Sequence, residues 1–470
     1  MGSEKNMQRI VGTILVLFFS WISVVQAEEQ PVVTDLSAIK VLDLKTAQTL
    51  ALAGNPDMSA ALARIEQARA RVQQAVAAWW PSLDVSASAV RQRLSDRAYE
   101  KNRFLAQQSG VSVDQSESVY QSGVEATWLL FDGFYRTFKE EQARYDEQAT
   151  GADMTDSQRL LVAATAEAFL NAQLAQTFID ISRADETFYI QQLEDAQNRF
   201  KIGAGPWGDV LNIRVQVNSA KNSLIQSQRE FEAAGYGLAA LLGLPDAAFP
   251  SHLRLAVLDQ NAVTPTVTKS PEVLIEEALT RRPDIRRLEM VVKQAEASMG
   301  MSRAPLYPKV RLAGSVQGAR EGSAGLSSQD FGSTVGMNMS WNLYAGGADK
   351  ARMIEAEEAK REAVYTLAGL RNAVASEIRQ DLAMLAAAEE QLLLQRETVK
   401  LVEENRDLAK NEYEAGESPL IRLNEAQRDL VATHSRLAQA LVACQLAEQR
   451  LLAATGRNLD GLPQSGDKGR

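Results

Sequence analysis

The chain has one cysteine, Cys444, and two histidines, His252 and His434, among 470 residues. A single thiol excludes an intrachain disulfide, and so few Cys and His side chains cannot assemble a structural zinc site. A catalytic triad would have to use one of the two histidines, and neither stands in a recognisable nucleophile motif, so neither enzyme chemistry nor a cofactor or metal is expected. Positive charge is also short. Lys and Arg total 50 against 60 Asp and Glu, a net charge of -10, with no basic cluster of the kind that phosphate contacts require. A nucleic acid partner is therefore not expected. Beyond residue 27 no uninterrupted apolar stretch reaches the ~20 residues a spanning helix needs. A membrane role would have to fall to strands.

What is present is ordinary for an ordered protein, 45% hydrophobic and 23% charged, on a chain roughly three times a typical domain in length. The start carries Lys5 and Arg9, an apolar run from Ile10 to Val25, and Val25-Gln26-Ala27 before Glu28-Glu29. This reads as a secretory signal peptide ending at Ala27. No cysteine follows the run, so no lipid anchor is expected there.

The chain contains its own sequence twice. Asn55-Pro56-Asp57 returns as Arg282-Pro283-Asp284 and Trp80-Pro81 as Tyr307-Pro308, both 227 positions later. Trp128-Leu129-Leu130-Phe131-Asp132-Gly133 returns as Trp341-Asn342-Leu343-Tyr344-Ala345-Gly346, 213 positions later. The 213 spacing then persists: Phe200, Gly203 and Pro206 match Tyr413, Gly416 and Pro419. The first copy has 14 extra residues between Pro81 and Trp128, in a polar stretch from about Arg91 to Val119 that reads as a mobile surface loop. The expected layout is a leader at 1–27, a first repeat at 28–250, a second at 251–460 and a flexible tail at 461–470. The first repeat has a β-hairpin at about 82–130 and a long helical hairpin at about 135–242. In the second these fall at about 309–344 and about 348–455.

Pro81 and Pro308 end helices, and a period of two follows. Val335, Met337, Met339, Trp341 and Leu343 alternate with mostly polar residues, as do Val124, Ala126, Trp128 and Leu130. Strands of ~10 residues suit either a small soluble sheet or tilted membrane hairpins. The export signal and the aromatic at the same exit position of both hairpins, Trp128 and Trp341, favour the membrane interface. Two hairpins give four strands, too few to close a barrel, so several chains must share one.

After each hairpin comes a stretch with almost no helix breakers, from about Tyr135 to Lys201 and from about Ala348 to Ala415. Continuous helices of that length would run on the order of 100 Å. Ile378, Leu385, Leu392 and Val399 fall at seven-residue spacing. So do Leu423, Leu430, Leu437, Cys444 and Leu451, and their counterparts Val210, Val217, Leu224, Phe231 and Leu238. Sustained heptads mean coiled-coil packing, with Cys444 as a seam residue. Gly203-Ala204-Gly205-Pro206-Trp207-Gly208 fits the spacing of a dinucleotide-binding loop, but a long helix precedes it where that site needs a strand, so it reads as a tight helix reversal.

Signal peptide, two copies of helix, Pro-ended hairpin, very long helix, glycine turn and heptad helix together resemble the TolC-like outer membrane factors over nearly all of the chain. Arg281-Arg282-Pro283-Asp284-Ile285 looks like the segment of the drug and metal efflux branch. The resemblance implies a homotrimer: a twelve-stranded outer membrane barrel, in contact with outer membrane lipid, continuous with a periplasmic helical tunnel. It implies no cofactor, a periplasmic adaptor and an inner membrane pump as partners, and passage of drugs or metals. Type I protein secretion is the alternative cargo class, and a pore-less periplasmic coiled-coil adaptor the alternative outside the channel class.

In that family the tunnel closes at the periplasmic tips through polar links between helices. Tyr413 looks like the family's constraint tyrosine and Asp209 like its carboxylate partner, beside the tip turns at Gly203, Gly205, Pro206, Gly416 and Pro419. The family's arginine position is Ser418 here, and its two constriction aspartates are Arg422 and Glu425. The resemblance thus implies a gate of Asp209, Tyr413, Arg422 and Glu425, in which arginines could neutralise carboxylates around a three-fold axis.

Overall fold

The computed structural model describes residues 39–109, 114–250, 252–259 and 270–462. The expected leader at 1–27 and residues 463–470 of the expected tail lie outside the described residues.

A short strand β1 (Val41–Leu42) leads into α1 (Leu44–Gly54) and α2 (Pro56–Ala77). The sheet begins with β2 (Ser82–Arg93), crosses a helix α3 (Asp96–Ser109) and returns as β3 (Ser116–Phe131). Then come α4 (Tyr135–Lys201), α5 (Trp207–Leu241) and a short strand β4 (Arg254–Leu255). The second half repeats the order with α6 (Pro271–Arg281), α7 (Pro283–Ser302), β5 (Lys309–Glu321), β6 (Phe331–Ser340), α8 (Ala348–Glu414) and α9 (Leu420–Ala454). The long helices match in length, 67 residues for α4 and α8 and 35 for α5 and α9. At 1.5 Å per residue the longer pair each span about 100 Å. No helix among the described residues is long and apolar enough to cross a membrane.

The four long strands form one antiparallel sheet in the order β2-β3-β5-β6. Its two halves join at β3 and β5, where the register shifts once, between Leu129 and Phe131. The register aligns apolar with apolar across strands: Trp128, Leu312 and Met337 share a row, as do Leu83, Ala126, Gly314 and Val335. Val335, Met337 and Met339 are 80%, 72% and 66% exposed. An apolar face this bare is built for hydrocarbon rather than water. The opposite face is polar, with Asp84, Glu125 and Ser315 in one row and Leu129, Arg311 and Asn338 in another. Both edges, β2 and β6, present unpaired backbone groups within the single chain.

The expected surface loop from Arg91 to Val119 is corrected by α3, a 14-residue helix. Ser95 caps it, its side chain accepting from the Ala98 amide, and Ala, Glu, Lys, Arg, Leu and Gln are strong helix formers. Apolar periodicity was the wrong signal for a helix whose described side chains are largely exposed.

The main core lies where the helical hairpins root. Leu42, Phe169, Leu238, Leu242, Leu255, Leu274 and Ile285 are buried there, and the same core runs along the seam of α8 and α9 through Ile378, Leu385, Leu392, Leu437 and Cys444. Burial pushes the Cys444 thiol above its ordinary value, which makes it an inert filler of the seam. A second, smaller core of Tyr189, Val210, Ile213, Val217 and Leu420 sits toward the turns at the far ends of the long helices.

Candidate functional site

The two reversals are built alike. Helix α4 ends with the Gly203 amide donating to Phe200 O at 3.0 Å and the Ala204 amide to Arg199 O at 2.8 Å. Helix α8 ends with the Gly416 amide donating to Tyr413 O at 3.1 Å and the Glu417 amide to Glu412 O at 2.9 Å. Gly203 and Gly416 take φ of 75° and 80°, the left-handed geometry this closure requires. Pro206 and Pro419 then cap α5 and α9 in extended geometry. Gly205 packs beside Arg199.

The charges on these matched turns are exchanged. Arg199 and Asp209 in the first tip correspond to Glu412 and Arg422 in the second, each 213 positions later. In the second tip they pair, Arg422 Nη1 lying 3.1 Å from Glu412 Oε2. In the first they turn to the neighbouring hairpin. The Tyr413 hydroxyl donates to Asp209 Oδ2 at 3.5 Å, a long hydrogen bond. The Arg199 guanidinium stands 5.1 Å from the Tyr413 ring centroid and donates to Tyr413 O at 3.5 Å. Burial, reinforced by the Asp209 carboxylate and opposed by Arg199, raises the Tyr413 phenol above its ordinary value, so it stays a donor. Asp209 also sits in the first turn of α5, where the helix N-terminus favours a carboxylate.

Of the expected gate residues, then, Asp209 and Tyr413 meet. Arg422 is engaged by Glu412 rather than by Glu425, which is exposed. Ser418 Oγ is buried without a hydrogen-bond partner. Arg199 was missed in the sequence, although the 213 spacing placed it opposite Glu412.

At the other end, Trp128 and Trp341 are partly exposed and make the same bond in both halves. The Trp128 indole donates to Trp79 O at 2.9 Å and the Trp341 indole to Leu306 O at 3.3 Å, tying each hairpin's exit to the chain just before its entry. Arg136, also missed, is buried against Asp132 with Nε 3.0 Å from Oδ2, and donates to Ala78 O and Leu130 O. Its signal was the Asp132-to-Arg136 spacing at the start of a helix.

The Arg-Pro-Asp segment lies at the root of the second helical hairpin. Arg282 grips Asp284 with two nitrogens, at 3.1 and 2.7 Å, reaches Glu377 at 2.6 Å and donates to Ala454 O at 3.0 Å, at the carbonyl end of α9. Arg159 approaches from α4, paired with Asp156 and donating to Ala453 O at 3.0 Å. Burial works to raise the Asp284 carboxyl, but the hydrogen bonds and charge of Arg282, with Arg159 behind it, outweigh that and hold it below the ordinary carboxylate range.

The geometry has counterparts among known proteins. A family model described as outer membrane efflux protein matches residues 48–244 and 274–457. The chain is 26% identical over 406 residues to the solvent efflux pump outer membrane protein SrpC of Pseudomonas putida, covering 86% of this chain and 81% of that one. It is 24% identical over 426 residues to the cation efflux system protein CusC of Escherichia coli strain K12, covering 88% and 86%. Its fold is similar to the open state of the Neisseria gonorrhoeae MtrE outer membrane channel, with a TM-score of 0.73 at 20% identity over 90% of this chain and 91% of that one.

Proposed function

This chain belongs to the outer membrane efflux protein family, and we propose that three copies of it close one twelve-stranded barrel and continue inward as a helical tunnel, forming the exit duct of a tripartite efflux system. The observation that carries the reading is the four-stranded sheet with a bare apolar face and two unpaired edges, mounted on helices of 67 residues. Open edges are not tolerated in hydrocarbon, so strands from other copies must complete them. Trp128 and Trp341 mark the interfacial level. A periplasmic adaptor and an inner membrane pump deliver cargo to the tunnel, whose members in this family are channels rather than enzymes. A pore-less coiled-coil adaptor would have no use for the apolar sheet face. The cargo is a small molecule, in keeping with the solvent and cation efflux named for the relatives.

The tips are the switch. Asp209, Tyr413 and Arg199 link the two hairpins, while Arg422 and Glu412 brace the second tip internally. A hydrogen bond to a carboxylate contributes roughly 1.5 to 3 kcal/mol at best, less at this length, and the three-fold axis repeats it. Asp209→Ala combined with Tyr413→Phe should raise single-channel conductance in planar bilayers while the particle mass in mild detergent stays at three chains. Unchanged conductance would move the constraint to Arg422 and Glu425, and a monomer that conducts would refute the trimer.

A further inference from the structure

The polar face of the sheet changes sign between the two halves. Directly after Pro81 the first half carries Ser82 and Asp84, and directly after Pro308 the second carries Lys309 and Arg311. Asp84 stands opposite Glu125, an acidic pair, whereas Lys309 stands opposite Ser340 and Arg311 opposite Asn338 and Leu129. Neither Lys309 nor Arg311 makes an ion pair among the described residues.

These two cations help line a cavity of about 590 Å³ where α7 ends, β5 begins and α8 starts. Leu129, Met301, Pro305 and Ala356 make its apolar lining. The other charges on its wall are mostly committed. Asp132 is held by Arg136, and Arg352 by Asp349 at 2.9 Å. Glu355 is the remaining acid, so Lys309 and Arg311 leave the wall net positive. The volume lies in the range of small-molecule sites, and a largely apolar lining with two unpaired cations suits a molecule with a hydrophobic body and one acidic group.

We propose that this cavity is a cargo subsite for amphipathic organic anions, with the acid group on Lys309 and Arg311 and the apolar body against Leu129, Met301, Pro305 and Ala356. The inference rests on the duct reading, because only a closed barrel turns the polar face of the sheet toward the cargo. It also gives the lumen wall alternating acidic and basic sectors, six in a trimer, so that anions have a defined track through an otherwise acidic protein.

The test uses the full-length protein in lipid nanodiscs and equilibrium dialysis with naphthalene-2-sulfonate and its uncharged analogue 2-methoxynaphthalene, with empty nanodiscs subtracted. Lys309→Ser with Arg311→Asp installs the residues of the first half. It should weaken sulfonate binding roughly tenfold or more, since charge-assisted hydrogen bonds are lost, and change binding of the neutral analogue less than about twofold. Ala356→Phe, which fills the chamber without touching charge, should weaken both. Sulfonate binding indifferent to the charge exchange, equal loss of both probes on that exchange, or binding indifferent to Ala356→Phe would each overturn the subsite. Conductance in planar bilayers, measured on wild type and on Asp209→Ala combined with Tyr413→Phe, separates the two levels: a protein that conducts in either form but does not bind the sulfonate keeps the duct and loses the subsite, and one that conducts in neither removes the duct and the subsite with it.

Discussion

At the root of the first helical hairpin, Asn55 donates across a short gap to Leu241 O at 3.0 Å; at the root of the second, Arg282 reaches the matching carbonyl, that of Ala454. The acceptors are 213 positions apart and both lie at the end of a 35-residue helix. The backbones differ in how close they come. A Cβ on Gly243 would lie 2.1 Å from Gly54 O, whereas one on Gly456 would lie no nearer than 3.5 Å to Arg281. Where the chains nearly touch, a short amide suffices. Where they stand apart, a long guanidinium fills the space and brings two carboxylates with it. One fold has thus closed the same joint by backbone proximity in one half and by a buried ion cluster in the other.

The comparison is broken most strongly at Arg282. Its side chain is 5% exposed, and removing one member of a buried ion pair costs about 3–5 kcal/mol because the partners stay behind uncompensated. Arg282→Met should therefore lower the thermal midpoint in detergent far more than Asn55→Ala, which loses a cap and one hydrogen bond worth about 1 kcal/mol. The two should also differ in acid. The Asp284 carboxyl is depressed in the folded state, so its contribution is complete above the ordinary carboxylate value near 4 and disappears as pH falls through the lowered one. Acidification from about pH 6 to about pH 3 should destabilise wild type and Asn55→Ala alike, and Arg282→Met less.

The joint between sheet and tunnel gives a second contrast. Arg136 and Asp132 are buried in the first half, and the matching positions of the second hold Asp349 and Ala345, with Asp349 in a partly exposed pair with Arg352. Arg136→Met should cost about 3 kcal/mol and free the Trp79 ring, over which the guanidinium sits 4.5 Å from the centroid. Asp349→Ala should cost under about 0.5 kcal/mol. Tryptophan fluorescence during thermal unfolding reads both. The smallest contrast lies in the glycines. Gly456→Ala meets only its left-handed φ, at about 1 kcal/mol, while Gly243→Ala must also push the backbone of Gly54 aside and should cost about 2 kcal/mol or more. Equal midpoints for those two would mean that the first joint is no tighter than the second.

Much of the architecture could be read from local period. Seven-residue spacing predicted the buried seam, and Leu423, Leu430, Leu437, Cys444 and Leu451 are all buried. The companion series was less legible, since Leu224 and Phe231 are only half-buried, Phe231 packing edge-on against Phe249 at 6.4 Å. Alternation predicted the faces of the hairpins, and the register places Trp128, Leu312 and Met337 on one of them. Helix α3 escaped the same reading because its signal lies in a cap and in intrinsic propensity rather than in a stripe.

By itself, then, the sequence determined the duplication, the strand faces, the heptad seams and the glycine-proline reversals, because each depends on residues within a few positions of one another. The tertiary structure alone decided which charges meet. Arg422 turns to Glu412 and Arg199 to Tyr413, although the matched positions carry the same pair with signs exchanged. Arg282 finds Glu377, and Arg159 finds the end of α9. Such choices depend on the axial register of one long helix against another and on backbone separations of a few ångströms at the roots, and neither leaves a period in the chain.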